Sequence, residues 1–141
     1  MQNSSLKDIV IVLVEDDDTL CRMYQTKLES DGFTVFTANN GADGFKLIEE
    51  HKPAIVLCDI MMPGTNGLQL LQMKSASHDE AVRSIPVIML TNLTEEEYKL
   101  KAEELGAIHF FYKGQDEPRN VVIKIKEVLG LTSVEATAEA A

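Results

Sequence analysis

Five times along this chain a short run of aliphatic, mostly β-branched residues is followed by a segment with helical spacing, and that alternation leaves few folds open. Asp8 to Val14 is a continuous run of the kind found in strands covered on both faces. Asp17 or Asp18 is placed to cap a following helix carrying Leu20, Met23, Tyr24 and Leu28, and Asp31-Gly32 ends it. Phe33 to Thr37 reads as a second strand, and Asn39-Asn40-Gly41 turns the chain into a helix with Ala42, Phe45, Leu47 and Ile48. Pro53 breaks that helix before a third strand, Ala54 to Cys58. Gly64 to Gly67 is a turn, Leu68 to Lys74 a helix, and Ser75 to Ser84 a polar connection without a clear period. Pro86 to Leu90 is a fourth strand. Thr94 and Glu97 form a capping-box pattern opening a helix that runs to Leu105. Ile108 to Tyr112 is a fifth strand, and Pro118 opens a last helix with Val121, Val122, Ile125, Val128 and Leu129 on one face. Residues 131–141 are small and polar and read as a frayed tail, leaving one domain over residues 1–130.

Strands alternating with helices imply an α/β fold: a doubly wound, five-stranded parallel sheet, (βα)5, with helices on both faces. Ligands of such sheets sit outside the carboxyl ends of the strands, where the strand order reverses. The positions just after Val14, Cys58, Leu90 and Tyr112 are therefore where chemistry is expected. Composition narrows the choice of partner. The 141 residues carry 13 Lys and Arg against 23 Asp and Glu, a formal charge of −10, which disfavours direct contact with nucleic acid. The longest apolar run, Ile9 to Val14, is far short of the roughly 20 residues needed to cross a bilayer, so no membrane contact is expected. Met1 to Ser5 lacks the basic and apolar segments of a signal peptide, and Cys21 and Cys58 form no CxxC pattern. A cytoplasmic protein is expected.

The strand ends are rich in polar groups. Glu15-Asp16-Asp17-Asp18 follows the first strand, Asp59-Ile60-Met61-Met62-Pro63 the third, Thr91-Asn92 the fourth and Lys113 the fifth. Each has an ordinary explanation. Acids favour a helix N-terminus, Asp59 suits a turn, Thr91 suits a cap, and a lone Lys is usually solvated. Met61 and Met62 suit packing, and His51, His78 and His109 lie in unrelated elements and are given no role. The joint placement at one sheet edge is what carries information. Crowded carboxylates repel one another unless a cation joins them, and hard oxygen donors suit Mg²⁺. A carboxylate so neutralised can attack a phosphoryl group and form an aspartyl phosphate, with the metal polarising the phosphoryl oxygens. Lys113 would add positive charge and Thr91 a hydroxyl.

With these residues in place, the stretch from Asp8 to Gly130 resembles the receiver domains of bacterial response regulators. Val14-Glu15-Asp16-Asp17 is similar to that family's acidic pair, and Asp59 to Gly67 to its phosphoacceptor loop. Pro86 to Thr91 resembles its Thr-bearing strand, and Phe111-Tyr112-Lys113 its Lys-bearing strand. The resemblance implies the strand order 2-1-3-4-5 shared by flavodoxin and the chemotaxis member of the family. It also implies roles. Asp59 would accept phosphate from a histidine kinase or histidine phosphotransfer protein. Asp16 and Asp59 would bind Mg²⁺ directly, Glu15 through water and Met61 through its backbone carbonyl. Thr91 and Lys113 would contact the phosphoryl group. Phe110 would be the aromatic that changes rotamer on activation, passing the signal to a downstream protein through the face of the fourth helix, fifth strand and fifth helix. One departure stands out: the family's Lys is commonly followed by a cis proline, whereas Gly114 follows Lys113. A cis bond without proline costs about 3–4 kcal/mol, so a trans peptide and a reshaped loop are expected.

Three functions compete. A stand-alone signalling switch, not an enzyme in the ordinary sense, uses all the strand-end residues. A Mg²⁺-dependent phosphohydrolase with an aspartyl nucleophile would need an acid two residues after Asp59, where Met61 stands. A flavodoxin-like cofactor binder would need a phosphate cradle after the first strand, where Glu15 to Asp18 would repel a phosphate.

Overall fold

The structure is a computed structural model, and it describes residues 6–62, 64–92 and 96–131. Its elements are β1 (Val10–Val14), α1 (Asp18–Ser30), β2 (Thr34–Ala38), α2 (Gly41–His51), β3 (Ile55–Asp59), α3 (Gly67–Ser75), β4 (Val87–Thr91), α4 (Glu96–Glu104), β5 (Ala107–Tyr112) and α5 (Pro118–Val128). The strands form one parallel sheet in the order β2-β1-β3-β4-β5. Thr94 and Pro63, and with them the expected capping box, lie outside the described residues, as does the expected tail beyond Leu131.

Period-two alternation divides the core. Ile11 and Leu13 of β1 pack with Tyr24 and Leu28 of α1 and with Val121 and Ile125 of α5. Val12 and Val14 face the other way, toward Ile48 of α2, Leu70 and Leu71 of α3 and Ala102 of α4. These four β1 side chains are fully buried, each stabilising the fold by about 1.5–3 kcal/mol relative to an exposed position. With both faces covered, a strand cannot alternate apolar with polar residues, which is why β1 reads as an unbroken aliphatic run.

Caps fix where the helices start. Asp17, not Asp18, caps α1, its Oδ1 accepting from the Leu20 N–H at 3.0 Å. Asn40 caps α2 and Asn66 caps α3, the latter in a reciprocal capping box with Gln69. The connection after α3 differs from expectation. It contains a single helical turn, Glu80–Arg83, capped by Asp79 and anchored by buried Val82. Lys74 is buried against it and donates from Nζ to the Arg83 carbonyl at 2.6 Å, a cation at a helix C-terminus. Burial pushes the Lys74 ammonium below the usual lysine range. Four residues are too few to show a period, so this turn was invisible to spacing. β2, β3 and β4 each sit one residue later than their aliphatic runs suggest, whereas β1 starts two residues later and β5 one residue earlier, both ending where expected.

A register shift in β5 has consequences for direction. Val87 pairs with Ala107 and Ile88 with His109, so Ile108 is an extra residue at a bulge and stands 48% exposed. As a result Ala107 and Phe110 both meet the α4 side of the core, while His109 packs edge-on against Phe111.

The return from β3 into α3 is very close. The Gly67 N–H donates to the Ile60 carbonyl at 2.9 Å, and a Cβ on Gly67 would collide with the Asp59 carbonyl oxygen and press on Ile60 Cα at 2.9 Å. Backbone is the obstacle, so no side-chain rotation relieves it. Gly67→Ala is expected to destabilise the protein by about 1–3 kcal/mol in denaturant melts. An unchanged midpoint would show that the loop after Asp59 yields freely.

Candidate functional site

The ladder that builds the sheet also aims the polar groups. Beyond β1, the Glu15 N–H donates to the Ala38 carbonyl at 3.0 Å, and beyond β5 the Lys113 N–H donates to the Thr91 carbonyl at 2.9 Å. Asp59 is the last residue of β3, in register with Leu90. Four strand ends thus deliver Glu15, Asp59, Thr91 and Lys113 to one edge, with Asp16 next to them on the surface.

Lys113 ties the group together. Its Nζ donates to Asp59 Oδ2 at 2.8 Å and to Glu15 Oε2 at 3.0 Å. Glu15 Oε1 also lies 2.8 Å from Nζ, an ion-pair contact without hydrogen-bond alignment, so Oε1 is the buried side-chain oxygen among the described residues that lacks a hydrogen bond. The remaining oxygens are in use: Asp59 Oδ1 accepts from the Met61 N–H at 3.2 Å, and Glu15 Oε2 from the Asp17 N–H at 3.0 Å. Side-chain exposure is 7% for Lys113, 5% for Asp59 and none for Glu15.

Burial dominates the electrostatics of the carboxylates. Desolvation pushes both Glu15 and Asp59 above their ordinary ranges, and the Lys113 hydrogen bonds only partly offset it. For Lys113 desolvation works against the charged form, but its hydrogen bonds and charge interactions with Asp59 and Glu15 together outweigh it and raise the ammonium above the usual lysine range. One ammonium faces three carboxylates, so the cluster holds an excess of negative charge.

That excess fits a hard cation. Glu15, Asp16 and Asp59 each offer a carboxylate oxygen, all within 4.8 Å of one another, and Glu15 Oε1, which accepts no hydrogen bond, has lone pairs a cation could take. They border a cleft of about 240 Å³ that Asn92 and Met61 also line, roomy enough for an ion that keeps waters. A larger cleft of about 560 Å³ between α1 and α2 shares only Glu15 with the cluster, so size does not mark the site.

The expected residues are not all equivalent. Glu15, Asp16, Asp59 and Lys113 converge, and Met61 reaches the same cleft with its side chain 56% exposed and its N–H on Asp59. Thr91 is buried at the adjoining strand end, 1% exposed. Phe110 lies outside the cleft lining, half-buried against the α4 side of the core with Lys99 Nζ 5.9 Å from its ring centroid. Spacing alone had not indicated that Lys113 bridges Glu15 as well as Asp59, since 98 residues separate the pair. The peptide after Lys113 is trans, as expected. No cis peptide occurs among the described residues, and Gly114 has φ +83°, a left-handed value that proline cannot adopt.

The response regulator receiver domain family model matches residues 11–125. The chain is 34% identical over 122 residues to the phosphate regulon transcriptional regulatory protein PhoB of Pseudomonas aeruginosa, covering 86% of this chain and 52% of that protein. It is 33% identical to the transcriptional regulatory protein SrrA of Staphylococcus aureus, covering 86% of this chain and 48% of that one. The chain therefore spans about half the length of these curated relatives. Among solved structures it is similar to a CheY-like response regulator receiver domain protein from Methanospirillum hungatei, with a TM-score of 0.79, 27% identity and coverage of 90% of this chain and 98% of that one. The signal receiver domain of a signal transduction histidine kinase from Syntrophus aciditrophicus gives a TM-score of 0.75 at 26% identity, covering 89% and 91% of the two chains. Among the described residues no helix is long and apolar enough to cross a membrane.

The raised carboxylates set a pH dependence. Glu15 and Asp59, with folded values above their ordinary 4.5 and 3.8, contribute stability that is fully present below those values and lost as pH rises through the folded ones. Lys113, raised above 10.5, keeps its contribution until alkaline pH. Ionising these buried carboxylates is thus a cost to stability that grows as pH rises. Asp16→Asn, which removes one crowded charge, is expected to keep or raise the melting temperature in metal-free neutral buffer while weakening divalent-cation binding. A clear fall in melting temperature with unchanged cation affinity would contradict the charge-excess account.

Proposed function

The chain belongs to the response regulator receiver domain family, and on that footing we propose that it is a cytoplasmic signalling switch in which Asp59 accepts a phosphoryl group from a histidine kinase or histidine phosphotransfer protein. The observation that carries this reading is the Lys113 ammonium at 2.8 Å from Asp59 Oδ2, inside a carboxylate cluster suited to a cation. An Asp59 oxygen forms the new bond to phosphorus while the donor's P–N bond breaks, its imidazole leaving with the electron pair. Asp16 and Asp59 would hold Mg²⁺ directly, with Glu15 through water and Met61 through its carbonyl. The ion, when bound, neutralises the attacking carboxylate and polarises the phosphoryl oxygens. Lys113, already bound to Asp59, remains within reach of the charge as it spreads onto the new oxygens. The Thr91 hydroxyl donates to one of them.

The phosphohydrolase reading lacks its acid. Met61 occupies the place two residues after Asp59 and has no proton to transfer, so the acyl phosphate is expected to hydrolyse slowly. The flavodoxin-like reading fails on charge, because Asp16 and Asp17 line the cleft where a cofactor phosphate would sit. The net charge of −10 points to a protein rather than nucleic acid as the downstream target. We read the receiver as signalling through α4, β5 and α5, where Leu100, Ile108 and Ile123 leave apolar surface exposed.

Incubation with Mg²⁺ and a small phosphodonor is expected to add a single, hydroxylamine-labile phosphoryl group to the wild type and none to Asp59→Asn, by intact mass. Equal labelling of that variant would refute the assignment. Coupling to the output face is tested separately. Thr91→Ala is expected to leave phosphorylation of Asp59 largely intact but to suppress the NMR shifts that phosphorylation causes around Phe110 and Ile125. Wild-type shifts in that variant would remove Thr91 from the route.

A further inference from the structure

Lys113 does its proposed work only if its backbone is held in place, and the chain beyond it contains no regular element until α5 begins at Pro118. What holds it is visible in the turn. The Lys113 N–H points to the Thr91 carbonyl, so the N–H of the preceding residue, Tyr112, points the opposite way, toward the open edge of the last strand. The Asp116 carboxylate meets that N–H, Oδ2 accepting at 2.8 Å. The Tyr112 carbonyl in turn accepts from the Gln115 N–H at 3.1 Å and the Asp116 N–H at 3.0 Å. Both peptide groups of Tyr112 are therefore tied to the turn by Asp116 and its neighbour. Gly114 supplies the left-handed conformation that lets four residues fold back this tightly, and its surroundings would leave space for a Cβ, so it is the backbone angle that the turn demands.

We propose that Asp116 is a positioning residue for Lys113: its carboxylate clasps the Tyr112 N–H, closes the Gly114 turn on the outer edge of β5, and so fixes the stem from which Lys113 reaches Asp59 and Glu15. The proposal rests on the reading of Asp59 as phosphoacceptor and Lys113 as its partner. The clasp takes the place of a stiffer chain. Gly114 removes every side-chain restraint on the backbone right after Lys113, and a side chain two residues further on restores it. Asp116 itself touches neither Asp59 nor Glu15; it acts through Lys113. The Asp116 side-chain oxygen adds the bond on the Tyr112 N–H to the two backbone bonds on the Tyr112 carbonyl, so both sides of that residue are held.

The test uses the whole chain and substitutions of Asp116 that separate geometry from charge. Asp116→Asn keeps an oxygen acceptor at the same reach, and Asp116→Glu keeps the charge but displaces the acceptor by one methylene. The rate of Asp59 phosphorylation by a small acyl phosphate with Mg²⁺, followed by intact mass, is expected to stay near wild type in Asp116→Asn. It should fall roughly tenfold in Asp116→Glu, and at least as far in Asp116→Ala, within the roughly hundredfold that a misplacement of about 1 Å can cost. In metal-free protein the ¹H–¹⁵N signal of the Lys113 ammonium, sharp when held by Asp59 and Glu15, should broaden in Asp116→Glu and persist in Asp116→Asn. In a Lys113→Ala background, Asp116→Glu should slow phosphorylation no further. Wild-type rate and ammonium signal in Asp116→Glu would overturn the proposal, as would an undiminished effect of that substitution once Lys113 is gone. Wild-type protein that takes no phosphate on Asp59 would instead overturn the reading on which the proposal rests, and the ammonium signal alone would still report whether the clasp positions Lys113.

Discussion

The contact on which the site turns is the Lys113 ammonium held between Asp59 and Glu15. Buried carboxylates without a partner are costly, and two of them side by side cost more, because each raises the energy of the other's charged form. Lys113 makes the arrangement tolerable without making it comfortable: desolvation still pushes both acids upward, and Asp16 adds a third negative charge at the rim. A site built this way is under-neutralised by its own residues, and that deficit would favour a cation. The same deficit would make the arrival of a phosphoryl group a large electrostatic event rather than a small one.

Holding those charges together is the task of the sheet. Glu15, Asp59, Thr91 and Lys113 come from parts of the chain far apart in sequence, and only the parallel order β2-β1-β3-β4-β5 brings their strand ends to one edge. The aliphatic strands that fill both cores are therefore the reason the polar cluster exists. Close backbone contacts finish the work: Gly67 lets the loop after Asp59 turn back against itself, and the Lys113 N–H continues the ladder one residue past β5. A cavity in the core and a Cβ on Gly67 would reach the chemistry by the same path, through the placement of a strand end.

The sequence carried the large features because they repeat. Five aliphatic runs with helical segments between them pointed to the topology class, and the polar residues following four of those runs pointed to the candidate site. Details set by single contacts were less legible. Two acids in sequence left the cap of α1 open until the Asp17 hydrogen bond decided it. The one-turn helix Glu80–Arg83 is held by Val82 and by Lys74 from another element, and neither leaves a periodic trace. The bulge at Ile108 is set by pairing with β4, and it alone determines that Phe110 faces the α4 side while Phe111 faces α5. The Glu15 contact of Lys113 was equally hidden, since spacing cannot show which of several nearby carboxylates an ammonium will choose.

Phe110 shows what a switch in this fold must overcome. A phosphoryl group can shift a conformational equilibrium only by binding one conformation more favourably than the other. The differential contact has to come from groups that move, and Asp59 and Lys113, locked in their ion pair, are poor candidates for large movement. Thr91 is different: it sits at the end of β4, next to Asn92 at the cleft wall and one strand away from the β5 residues that lead back to Phe110. Phe110 is only half-buried and is covered on its outer side by Lys99 of α4, a contact that a change in α4 would disturb directly. Under the proposed switch, the buried ion-paired centre would sense the phosphoryl group and half-buried Phe110 would respond, with the hydroxyl-bearing end of β4 between them.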